Sequence, residues 1–104
     1  MSKKGRKKAF KRLWKYAATL ERPANSDFQC EGEVFLALQE FMSAHHTEHM
    51  QEDQPYTQAM GVELVYHLFY LLFRSGITYE QMAKSVDEFM DRDQEMNKRF
   101  RSKW

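Results

Sequence analysis

The apolar residues of this chain recur at helical spacing from end to end. Between Lys7 and Glu21 they fall at Phe10, Leu13, Trp14, Ala17 and Leu20, one face of a helix with 3.6 residues per turn. Arg22-Pro23 closes that helix, because a residue preceding proline is driven away from helical angles. Ser26 and Gln29 then match a capping box, in which each side chain satisfies an orphan backbone amide, and they open a second helix over 27–50. Its buried face is predicted from Phe28, Phe35, Leu38 and Met42, with Val34 and Phe41 beside them. Gly32 weakens its first turns by about 1 kcal/mol relative to alanine.

The segment QEDQPYT interrupts the pattern, and Pro55 suits the first turn of a third helix over 55–74. That helix is apolar on nearly every side, which marks the centre of a bundle or an interface. Leu64, Leu68, Phe69, Leu72 and Phe73 are its candidate interaction surface. Gly76 is placed to end the helix in a left-handed conformation. Thr78 and Gln81 form a second capping box, with Ile77 and Met82 as its hydrophobic staple. A fourth helix over 79–101 carries Met82, Val86, Phe89, Met90, Met96 and Phe100. Its outer face sets Glu80, Glu88 and Glu95 four residues ahead of Lys84, Arg92 and Arg99, the favourable order for helical ion pairs. No alternation of period two suggests strands. The expected fold is all-α: a flexible basic arm over residues 1–6, then a small four-helix, bundle-like single domain over 7–104.

Composition narrows the class. A chain of 104 residues with 42% hydrophobic and 14% aromatic residues can build one core, so disorder of the whole chain is not expected. The lone Cys30 makes no internal disulfide and suits a reducing compartment. No apolar run reaches the roughly 18 residues of a membrane span, and no apolar region of a secretory signal follows the basic start. A cytoplasmic protein with no membrane span is expected.

Charge changes the picture most. The net charge of +1 conceals three blocks. Lys3, Lys4, Arg6, Lys7, Lys8, Lys11, Arg12 and Lys15 give residues 1–15 a charge of +8 with no acid. Residues 16–97 carry −11, and Lys98, Arg99, Arg101 and Lys103 return +4. Basic ends around an acidic middle imply a polyanionic partner, such as DNA or RNA, or an acidic protein surface. The basic residues flank Trp14 at one end and Trp104 at the other, whose rings are candidates for stacking on unpaired bases. Should the two ends meet in the bundle, they would form one positive patch.

Other candidate chemistry is weaker. His45, Glu48 and His49 spell H-x-x-E-H on a helix, and the two histidines share one face. A zinc peptidase would also need a third ligand, an open coordination position and a substrate cleft, so the reading is histidines at a helix end, with weak metal candidacy. Glu88 and Asp91 would need a second acidic pair on another helix to hold Mg²⁺; the expectation is a solvated face. Cys30 has no neighbouring base to activate it, and the four glycines make no phosphate loop. The stretch SGITYEQMAKSVDEF lacks the internal turn of a helix-turn-helix. No enzyme activity and no cofactor are expected. The leading expectation is a helical nucleic-acid-binding protein gripping phosphates through both ends. The alternative is a protein-interaction module, either a homodimer or an adaptor or inhibitor docking on a larger cellular machine.

Overall fold

A computed structural model describes the backbone of residues 3–20 and 26–102 and the side chains of 8–20 and 26–100. The fold is all-α and four-helix bundle-like, with no strand among the described residues. The helices are α1 (Lys3–Thr19), α2 (Asp27–Glu48), α3 (Pro55–Arg74) and α4 (Tyr79–Ser102). α3 has the predicted bounds. α1 starts four residues early, so residues 3–6, expected as a flexible arm, have helical backbone; Met1 and Ser2 lie outside the described residues.

The predicted caps form. Ser26 Oγ accepts from the Gln29 amide at 3.2 Å, and Gln29 Oε1 accepts from the Ser26 amide at 2.8 Å. Thr78 and Gln81 repeat the exchange at 3.1 and 2.9 Å. At the end of α3, Gly76 adopts φ +86°. The Ile77 amide reaches the Leu72 carbonyl and the Gly76 amide the Phe73 carbonyl, the paired bonds of a glycine-terminated helix.

α3 is the central helix, packed along α2 and against α1, as its all-round apolarity predicts. Ala17, Cys30 and Tyr70 are the buried centre, with Leu20, Tyr66, Phe69 and Leu71 packed around them. Trp14, 5% exposed, meets Phe69 at 5.1 Å between ring centroids and presents an edge to Tyr79 at 6.0 Å. Arg74 Nε donates to Asp27 Oδ1 at 2.8 Å, joining the end of α3 to the start of α2. That bond to Asp27, helped by Tyr70, holds the guanidinium pKa above its ordinary value against the opposing pull of desolvation.

α2 turns a different face inward from the one its large side chains predict. Cys30, Ala37 and Ala44 are buried at seven-residue spacing, Val34 and Phe41 are half-buried beside them, and Phe28, Phe35, Leu38 and Met42 are exposed. The reason is steric. The facing helix is already bulky, so a seam of small residues lets the two backbones approach, and the Phe41 ring lies over Gly61. A Cβ on Gly61 would stand 3.5 Å from that ring, whereas one on Gly32 would meet nothing within 4 Å.

α4 is anchored only near its start. Tyr79, Met82 and Ala83 are half-buried, whereas every residue from Lys84 to Phe100 is exposed. Its apolar face therefore stands open, with Phe89 60% and Met96 69% exposed.

Candidate nucleic-acid interface

Helical spacing puts Lys8, Lys11, Arg12 and Lys15 on one side of α1, and all four are exposed. Trp14 and Ala17 occupy the opposite side and anchor the helix on α3. The packed core thus works as a platform that aims the basic row at solvent. At 1.5 Å per residue the row spans about 10 Å, room for several duplex phosphates. No acid occurs in α1 to compete with it. Lys11 Nζ sits 5.7 Å over the Tyr79 ring, a cation–π contact where α1 meets the start of α4. A shallow groove there is lined by Lys11, Lys15, Phe73, Tyr79 and Glu80, so one acid intrudes at its edge.

The remaining sequence-predicted residues are dispersed. Lys3, Lys4, Arg6 and Lys7 belong to the helical backbone of α1, and Arg101 to that of α4, but their side chains lie outside the described residues, as do Lys103 and Trp104 entirely. Lys98 and Arg99 are exposed on α4, with Arg99 3.9 Å from Glu95. They stand about 30 Å along the helix from the Tyr79 junction, on a stretch whose residues are exposed from Lys84 to Phe100. Trp14 is buried and leaves no free ring face for a base; its role is in the core.

The interaction surface assigned to α3 is only partly open. Leu64, Phe69 and Leu72 are half-buried, Phe69 against Trp14 of α1, while Leu68 and Phe73 stay exposed. Larger open apolar rows lie on α2 and α4.

The H-x-x-E-H stretch resolves into something else. Glu48 is 8% exposed and turns away from the histidines toward the start of α3. Its Oε1 accepts from the Thr57 amide at 2.6 Å and the Thr57 hydroxyl at 2.8 Å, and its Oε2 from the Tyr56 amide at 3.2 Å. Burial pushes this carboxyl up, but the donors on Thr57 and Tyr56 together hold it below its ordinary 4.5. Both oxygens satisfy orphan amides of α3, whose N-cap Gln54 makes no side-chain cap. His45 and His49 remain exposed, ring centroids 5.7 Å apart, and His49 Nδ1 lies 3.0 Å from the His46 carbonyl. Among the described residues no three metal-ligating side chains converge. Sequence reasoning missed this cap; the available signal was a helix opening at Pro55 with glutamine, a poor capping residue, at the N-cap position Gln54.

His67 on α3 is half-buried, with Nδ1 3.6 Å from Glu33 Oε2 and its ring edge-on to Tyr66. Cys30 is buried as a small apolar group. Among the described residues, no helix is long and apolar enough to cross a membrane.

Fold and surface define a small all-α chain with an acid-free basic helix and two open apolar rows. Comparison with protein-family models, curated proteins and solved structures finds no match.

Proposed function

We propose that this chain is a small, non-enzymatic nucleic-acid-binding protein that grips phosphates through α1, with little readout of sequence. The observation that carries the reading is the acid-free helix itself, with Lys8, Lys11, Arg12 and Lys15 exposed on one side while Trp14 and Ala17 on the other are buried in the core and Phe10 stays exposed. Each cation that neutralises a phosphate releases a condensed counterion, so such a row binds backbone and ignores base identity. Lys98 and Arg99 near the end of α4 supply a second contact, with Arg101 and Lys103 following them in the sequence. Buried Cys30 and the dedication of Glu48 to a helix cap support a binding role over catalysis in a reducing, cytoplasmic setting.

The test is fluorescence anisotropy with single-stranded DNA, duplex DNA and RNA, comparing the intact chain with a Lys8→Gln, Lys11→Gln, Arg12→Gln, Lys15→Gln variant. Binding to all three, weakened at least about tenfold in the variant, is the expected result. Equal binding by both proteins, or none at low salt, contradicts it.

A second reading, a protein-interaction module, is favoured by the apolar rows left open on α2 and α4.

A further inference from the structure

We infer that the groove between α1 and the start of α4 takes an unpaired base of a single nucleic-acid strand whose phosphates lie on Lys11 and Lys15. This rests on the phosphate-binding reading of α1 and adds the form of nucleic acid that the same surface recognises.

Three observations lead there. The first is position. Lys11 and Lys15 belong to the exposed basic row, and both also line the groove, whose volume is about 360 Å³. A strand whose phosphates follow the row therefore passes the mouth of the groove. Such a strand carries one flat ring per phosphate. In a single strand that ring is free to turn toward the protein, whereas in a duplex pairing holds it inside the helix.

The second is lining. Trp14, Phe73 and Tyr79 give the groove aromatic walls, Ile77 adds an aliphatic one, and Gly76 leaves its place without a side chain. Phe73 is 41% exposed and Trp14 only 5%, so Phe73 is the ring that an entering base reaches. Tyr79 is half-buried beside it, its ring held edge-on to Trp14 at 6.0 Å. Every base has a π-face, so stacking in such a groove tolerates any sequence, in keeping with a grip on backbone. The volume is at the lower end of the roughly 300–1,000 Å³ of small-ligand sites, a size suited to one nucleoside.

The third is charge. Lys11 Nζ stands 5.7 Å over the Tyr79 ring, so a phosphate drawn to that ammonium brings its own base beside the aromatic wall. Glu80, the one acid of the lining, repels a phosphate from the α4 side. It leaves the phosphates to α1 and the groove to the uncharged part of the ligand. The cations continue past the groove as Lys8 and Arg12, which a polyanionic strand engages and a single anionic headgroup does not.

The test is fluorescence anisotropy on the full chain carrying Trp104→Phe, which leaves Trp14 as its one tryptophan. The probes are an oligothymidylate, an abasic strand of the same length and charge, and a duplex. The oligothymidylate is expected to bind at least about fivefold more tightly than the abasic strand. Phe73→Leu, which keeps an apolar side chain but removes the ring, should bring the oligothymidylate down to the abasic level. It should leave abasic and duplex affinities within about twofold of their starting values, with circular dichroism checking that helicity is retained. Trp14 emission should change on binding the oligothymidylate and not the abasic strand, a comparison that needs no substitution in the groove. Equal affinity for the two strands, an advantage that survives Phe73→Leu, or unchanged Trp14 emission overturns base insertion. If the strands bind equally and the four-cation Gln variant weakens both, base insertion fails while the phosphate grip stands. No binding of any probe at low salt overturns both.

Discussion

At Glu48, one carboxylate joins the end of α2 to the beginning of α3 by accepting from two amides and a hydroxyl. Its pKa in the folded chain lies below the ordinary 4.5, so the charged form is the one the fold prefers. The contribution is therefore complete above the unfolded value and is lost as pH falls through the folded one. Glu48→Gln should melt below the wild type at neutral pH, and its melting temperature should fall less than the wild type's between about pH 5 and pH 3. Parallel pH profiles would contradict the cap. Two glycines make opposite predictions in chemical denaturation. Gly32→Ala, in a helix with open space around it, should stabilise a dilute sample by about 0.5–1 kcal/mol. Gly76→Ala, at φ +86°, should destabilise by about 1–2 kcal/mol. The sequence displayed the capping boxes and Gly76 openly, because those devices depend on a few neighbouring residues. It concealed the role of Glu48. Residue type and spacing present a possible ligand set, but only the path of the chain from His49 to Pro55 decides which way the carboxylate turns.

Among the elements, α2 teaches most. Two rows of equal period run along it, the large one of Phe28, Phe35 and Met42 and the small one of Cys30, Ala37 and Ala44. Periodicity cannot choose between them, and ranking by hydrophobicity selects the large row. Close approach to a bulky α3 selects the small one. A paired substitution reads the choice directly. Ala44→Leu should overpack the seam and cost about 1–3 kcal/mol in urea denaturation. Phe35→Glu, on open surface, should change the stability of a dilute sample by no more than about 0.5 kcal/mol. The reverse order would mean that α2 presents its large face inward. α3 was legible as the central helix because its apolar residues circle it. The open face of α4 was not, because an amphipathic pattern says that a face needs covering without saying which molecule covers it.

At the scale of the whole molecule, the division into a basic start, an acidic middle and a basic end can be read from the order of residues alone, and it motivates the proposed grip on phosphates. Whether the basic ends come together could not be read, since that depends on the direction in which α4 leaves the core. With α4 extended, α1 alone carries the principal row. The salt dependence of duplex DNA binding tests this most directly. For the intact chain, log K should fall with log salt at a slope of about −4 to −8, and removing the four row cations should reduce the steepness by about 3 to 4. A slope near zero, or one that the four substitutions leave unchanged, would contradict a phosphate grip centred on α1.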